Sequence, residues 1–342
     1  MAWHAPDCGV RLAEVQADVR LADDEAAADL LANAAWQVAG PAPVSVVVPF
    51  LNYDVLPLAR RLLQLAGPTG VPVPLIFVDD GSPDPAFRQA LWVLLKDAAQ
   101  PCLLASLPCN VGRARVRNIL CRLACTPYLL YLDADMWPDR DDFLQRYLGW
   151  IADGTVDVIY GGRSADKVVL TGPQYRLHRQ MTQAREALPA TVRRQSPAFH
   201  FYSCNFVVRR EILDAYPLDE QFTGWGWEDM EWASRVAAKY AIRHEDNPAS
   251  HLGLLTAPQI LKKYDESIGN FRLMLARRPD IVAPTALFRA ARAIGRLGLG
   301  PVVGTVARHV ATAAWLPNAM RLQGLMFYKA ALYAPHARDA NV

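Results

Sequence analysis

The sequence predicts an α/β fold built on a mostly parallel sheet. Short continuous apolar runs, rich in β-branched residues, recur along the chain as "VSVVVPF", "PLIFVDD", "PCLLASL", "YLLYLDAD" and "VDVIYGG". Such runs suit strands buried on both faces. Between them, the segments around 55–66, 84–99, 112–125 and 140–152 have helical spacing. Strand and helix alternate, as a parallel sheet with helical crossovers requires. In open sheets of this kind, ligands bind beyond the carboxyl ends of the strands. Polar residues stand there after four successive strands: Asn52; Asp79, Asp80, Gly81 and Ser82; "NVGRARVRN"; and "DAD". They point to one composite site.

Composition narrows the function classes. The net charge of +2 gives no electrostatic footprint for nucleic acid. Cysteines stand at 8, 102, 109, 121, 125 and 204, with no CxxC pair and no flanking histidines to complete a zinc site. They read as reduced thiols in a reducing compartment. The N-terminus shows no basic region followed by an apolar run, so no secretory signal is expected. No stretch reaches the roughly 18 apolar residues of a transmembrane helix. The expected location is cytoplasmic.

Three regions follow from this reading. Residues 1–43 are an Ala-rich, acidic extension ending in "GPAP", residues 44–282 form the main domain, and residues 283–342 form a helical tail. Within the main domain, 164–198 is rich in Arg and Gln with weak periodicity, which reads as a surface excursion or lid. "FYSCNFVVRR" reads as a further strand, and 256–280 as a helix with Ile260, Leu261, Tyr264, Ile268 and Phe271 on one face. The tail carries seven Arg or Lys against one Asp, leaving the rest of the chain negative. In "ALFRAARAIGRLGLG", Arg289, Arg292 and Arg296 share one helical face, and Phe288, Ala291, Ile294 and Gly295 the other. That pattern fits a helix on an anionic membrane surface, or a helix packed on the domain with a solvated basic face.

The chemistry is carried by three segments. In "YLDADMW", strand alternation places Asp133 and Asp135 on one side. Two close carboxylates call for a cation, and Mg²⁺ or Mn²⁺ fits oxygen ligands; a polar strand end capping a helix near Asp139 is the alternative. In "NVGRARVRN", Gly112 marks a turn into a helix on which Arg113 and Arg117 face the same way. Cations in a first turn oppose the helix dipole, so an anion such as a diphosphate would account for them, as would a solvated basic face. In "FTGWGWEDMEW", Asp229 aligns with Trp232, Ala233, Val236, Ala237 and Tyr240, the buried face of a helix. Glu228 aligns instead with Glu231, Arg235 and Lys239 on a charged face. An inward carboxylate at a helix start, kept ionised by the dipole, suits a general base. Trp225 and Trp227 offer flat surfaces for a sugar ring. An acidic first turn with no further role is the alternative.

With these motifs together, the chain resembles the glycosyltransferases of family 2, which have the GT-A fold. "VSVVVPFLN", "VDDGS", "NVGRARVRN", "LDAD" and "GWGWED" occur in the family's order over residues 44 to 255. "WGWED" is also similar to the Trp-Gly-Gly-Glu-Asp segment of polysaccharide polymerases and galactosyl- or N-acetylgalactosaminyltransferases, with Trp227 in place of the second Gly. The resemblance implies that Pro49, Leu51, Asn52, Asp79 and Asp80 hold the nucleotide, usually uridine, with help from Arg113 and Arg117. It implies that Asp133 meets ribose or metal, that Asp135 binds Mn²⁺ or Mg²⁺, and that a later histidine completes the metal site. His251 is the candidate and His244 the rival. Asn205 falls where the family lines the donor-sugar pocket. Asp229 would be the base, Glu228 an acceptor contact, and Trp225 and Trp227 acceptor platforms. The implied activity is inverting transfer from a UDP-sugar to a growing polysaccharide or lipid-linked glycan, with an anionic membrane surface as a further partner. A protein or small-molecule acceptor, or a non-catalytic nucleotide-sugar binder, is the alternative.

Overall fold

The computed structural model describes residues 28–169, 172–338 and 340. Two units make up the chain: a sheet unit of residues 1–167, 188–220 and 232–252, and a helical unit of residues 168–187, 221–231 and 253–342. Cys8 and the acidic part of the N-terminal stretch before residue 28 lie outside the described residues.

The sheet unit holds an eight-stranded sheet made of β1 (Asp29–Ala32), β2 (Val44–Phe50), β3 (Leu75–Asp79), β4 (Cys102–Ser106), β5 (Tyr128–Leu132), β7 (Val158–Tyr160), β9 (Asn205–Arg209) and β10 (Ile242–His244). Their order is β1-β4-β3-β2-β5-β9-β7-β10. The run β4-β3-β2-β5 is parallel, and these strands are buried almost throughout. Continuous Val, Ile and Leu runs are what two-sided burial selects. β9 enters antiparallel to both β5 and β7, so the sheet is mixed around a parallel centre. β1 pairs antiparallel with β4 and forms one edge of the sheet, so the expected boundary at residue 43 moves back. Its short "DLLA" segment is half-exposed and gave no strong periodic signal. A second sheet joins β6 (Met136–Pro138), β11 (Ala249–His251) and β8 (Arg163–Ser164) in the order β6-β11-β8. Asp139 pins it by accepting from Ser164 Oγ and from Ser250 Oγ at 2.6 Å.

Helices occupy the expected crossovers at Leu56–Ala66, Ala86–Leu95, Arg113–Leu123 and Phe143–Ile151. Gly81, at φ +77°, lets the loop after β3 touch the loop after β4. A Cβ there would lie 2.3 Å from the Cys109 carbonyl carbon. Gly81→Ala is expected to destabilise the protein by about 2–4 kcal/mol, from left-handed strain plus a backbone clash. Urea denaturation measures it, and a loss below about 1 kcal/mol would mean that the two loops separate freely.

The helical unit corrects two expectations. Segment 164–198 is not a featureless excursion: it contains the helices Arg176–Arg185 and Ala190–Arg193, in different units. Leu177 and Thr182 are buried in the helical unit, and Arg193 in the sheet unit. Nor does a tail begin at 283. The helices Ala257–Glu266 and Ile268–Arg277 share apolar cores with Ala286–Arg296, Gly300–Thr312 and Asn318–Ala337. Phe288, Ala291 and Gly295, the face proposed for lipid, are buried, and a Cβ on Gly295 would lie 2.4 Å from the Ala334 carbonyl oxygen. That face is consumed by packing on Asn318–Ala337, a partner that helical spacing alone does not reveal. No helix among the described residues is long and apolar enough to cross a membrane.

Candidate active site

In the sheet unit, polar side chains gather at the carboxyl ends of the parallel strands. Pro49 is in β2 opposite Val78, and Leu51 follows it half-exposed. Asn52 adopts φ 48°, and its N–H donates to Ser82 Oγ at 2.9 Å. Asp79 is buried; it accepts from Ser82 N–H at 3.0 Å and pairs with Arg88 at 3.6 Å, so it braces the loop. Asp80 accepts from Val111 N–H at 2.8 Å. Burial pushes its carboxyl up to about 6, against the lowering effect of the Val111 and Gly112 N–H groups.

Arg113 and Arg117 both reach Asp133. Arg117, buried, donates to Asp133 Oδ1, and Arg113 lies 3.6 Å from Oδ2. Arg115 turns away to Glu220 at 3.7 Å. β5 ends at Leu132, and Asp133 to Asp135 form a turn closed by Met136 N–H donating to Asp133 O at 3.0 Å. The two aspartates are therefore separated by a turn rather than by strand alternation, and they meet different partners. Asp135 Oδ2 lies 2.9 Å from His251 Nε2. This meeting of residues 116 positions apart comes from the β6/β11 ladder, where His251 pairs with Met136 and Leu252 N–H donates to Asp135 O at 2.8 Å. Burial alone would raise the Asp135 carboxyl. The charge and hydrogen bond of His251, with Arg163 and Arg113, outweigh it and hold the carboxyl well below the usual carboxylate range.

His244, the rival, is fully buried. Its Nδ1 accepts from Arg193 at 3.0 Å, which leaves Nε2–H to donate to Pro197 O at 3.0 Å. Burial and the Arg193 charge lower its pKa to about 4. Both ring nitrogens serve the fold. Asn205 is also a correction. Its Oδ1 accepts from Tyr147 at 2.8 Å, and its Nδ2 donates to Gly162 O at 2.8 Å and Asn247 O at 2.9 Å. A fully buried amide with both donors used is a strut between loops, not a pocket wall. Tyr53 was not singled out in the sequence. Its hydroxyl is pushed up to about 12 by burial and by the nearby Asp135 charge.

The residues fit a divalent metal at Asp135 and His251. One carboxylate and one imidazole already converge there, and Mg²⁺ or Mn²⁺ commonly completes such a set with substrate phosphates and water. Asp133 is committed to two guanidiniums. No cluster of three or more metal-ligating side chains occurs among the described residues.

In the helical unit, the loop "GWGW" is held by Asn270, whose Nδ2 donates to Gly226 O at 2.8 Å and whose Oδ1 accepts from Gly224 N–H at 3.3 Å. Trp227, at φ 77°, donates its indole N–H to Tyr333 at 3.0 Å and packs on Phe271. It is a packing element more than an open platform. Trp225 is half-buried beside Tyr264. Lys329 sits among Tyr264, Trp225, Trp227 and Tyr333, its Nζ 5.0, 5.6, 5.8 and 5.8 Å from the ring centroids. Burial lowers its ammonium to about 8, against the attraction of Glu228. A lone lysine within "GLMFYKAALY" was the signal available in the sequence.

The helix Glu228–Ala237 starts with three acids, and the expected faces are rotated. Glu228 and Glu231 are buried, while Asp229 is half-buried and Ala237 exposed. Buried Glu228 and the Lys329 ammonium attract one another, an attraction that periodicity could not anticipate. Asp229 Oδ1 is buried with no hydrogen-bond partner among the described residues. From Trp232 onward the helix belongs to the sheet unit, where Trp232 packs on Phe201 and Phe206.

The profile of "Glycosyl transferase family 2" matches residues 45–216, half of the chain. The chain belongs to glycosyl transferase family 2. Among solved structures, this family 2 chain is similar to "Mannosyltransferase PcManGT from Pyrobaculum calidifontis in complex with GDP-Man and Mn2+". That likeness has 19% identity and a TM-score of 0.51, and it covers 96% of this chain and 95% of the other. It supports the GT-A fold. S. aureus TarS 1-349 aligns at 13% identity and a TM-score of 0.47, covering 86% of this chain and 91% of that one. No curated protein matches the chain.

Proposed function

We propose that this family 2 transferase is inverting and metal-dependent. It moves a hexose or N-acetylhexosamine from a nucleotide sugar, with UDP as the expected carrier, to a sugar hydroxyl of a growing polysaccharide or lipid-linked glycan. The observation that carries the reading is the convergence of Asp135 and His251 next to the arginine-held Asp133, at the carboxyl end of β5. Arg113, whose side chain is 39% exposed, meets the diphosphate. Asp135 and His251 would hold Mn²⁺ or Mg²⁺, which would supply positive charge beside the nucleoside diphosphate. Asp80 accepts a base N–H. Asp229 takes the proton of the acceptor hydroxyl as that oxygen attacks the anomeric carbon. A single displacement inverts the configuration. Trp225 and Glu228 hold the acceptor.

Calorimetric titration with UDP, GDP and dTDP, each with and without Mn²⁺, tests the donor half. Metal-dependent binding of UDP that His251→Ala weakens is the expected result. Absence of binding by any of the three, from folded protein, overturns the reading.

The role of Asp80 has a pH signature. Its carboxyl titrates near 6, so it is ionised above that pH and protonated below it. Only the ionised form is a pure acceptor for a base N–H. UDP affinity is expected to fall as pH drops through about 6, and Asp80→Asn is expected to flatten that step. An unchanged step in the variant would assign the titration to another group.

A further inference from the structure

Among the described residues, the helical unit leaves an apolar face uncovered. The helices Gly300–Thr312 and Asn318–Ala337 pack so closely that a Cβ on Gly324 would lie 2.8 Å from Ala311 N. Along their outer side runs a groove of about 400 Å³ lined by Val302, Val306, Val310, Met320 and Phe327. Val302, Val306, Met320 and Phe327 are each at least half exposed. The loop joining the helices carries Trp315, 83% exposed, and Leu297 before them is 71% exposed. Large exposed apolar patches mark interaction surfaces.

Charge identifies the occupant. From residue 283 onward the chain carries seven Arg or Lys against one Asp, and Arg289 and Arg296 are exposed on one side of their helix. We propose that this face docks on an anionic lipid surface, with Trp315, Phe327 and the valines entering the headgroup boundary and Arg296, next to the exposed Leu297, meeting lipid phosphates. A second copy is a poorer occupant, because a two-fold contact would set a segment carrying seven cations against one Asp on its own like charge. The proposal does not depend on the transferase reading. It moves lipid contact from the buried Phe288 face to a different face of the same segment.

Flotation of the full chain with phosphatidylcholine vesicles, and with phosphatidylcholine–phosphatidylglycerol vesicles, tests it. Binding is expected to the anionic vesicles alone and to weaken with added salt. The double variant Val306→Asp/Phe327→Ser should abolish flotation. Arg296→Gln should weaken binding on the order of fivefold, and Arg308→Gln, on the side of its helix away from Val306, should leave it unchanged. All four positions are exposed, and unchanged circular dichroism with an unchanged thermal midpoint confirms folding. Equal flotation of the apolar double variant, or no binding to anionic vesicles, overturns the proposal. So does a wild-type dimer that the same double variant splits, since that assigns the face to self-association.

Discussion

Asp229→Asn is expected to lower turnover by about 10²–10⁴-fold while leaving UDP affinity within about twofold. Asparagine keeps the shape of the side chain and removes its basicity. The structural basis is an anomaly: Asp229 Oδ1 is buried without a hydrogen-bond partner among the described residues. A buried acceptor left unsatisfied costs on the order of 1–3 kcal/mol. The first turn of Glu228–Ala237 favours the anion through the helix dipole. An ionised oxygen with a vacant lone pair is what a hydroxyl proton requires. Initial rates and calorimetry on the same preparation separate the outcomes. Loss of UDP binding together with turnover would assign Asp229 to the donor site or to folding, and full activity would exclude it as the base.

Arg117→Ala is expected to cost about 3 kcal/mol of stability. Arg117 is buried with its guanidinium on Asp133, and its Nη1 donates to Arg113 O at 3.1 Å. Its own carbonyl accepts from the Tyr131 hydroxyl at 2.9 Å. Truncation leaves a cavity and removes the nearer of the two cations serving Asp133. Arg117→Lys should recover only part of the loss, because an ammonium restores charge but not the planar fork. The shift in urea midpoint measures both variants. A change under about 1 kcal/mol for the alanine would show that Arg113 alone holds Asp133.

The fold was legible where one periodicity served one environment. β2, β3, β4 and β5 are uniform apolar runs because the parallel centre is buried on both faces. β1 was not legible, since an edge strand of four residues needs no pattern. Residues that the motifs single out behaved in two ways. Asp80 and Asp135 stand just beyond strand ends, and Arg113 at a helix start, each with polar partners. Asn205 and His244 are equally polar in sequence but are spent on hydrogen bonds inside the protein. Residue type cannot separate these cases, because saturation depends on which loops arrive alongside. Lys329 shows the reverse, a charge in an apolar helix whose four rings come from three separate segments.

The sequence by itself determined the α/β class, the succession of polar strand ends along the chain and the five motifs that mark the family. Those are local properties, written in periodicity and spacing. The tertiary structure decided the pairing of Asp135 with His251, through the register of β6 against β11. It also decided that Glu228 is buried and that the Phe288 face is packed, leaving Val302, Val306 and Phe327 outside. Each of these joins residues distant in sequence, and burial and pairing are settled only by what packs alongside.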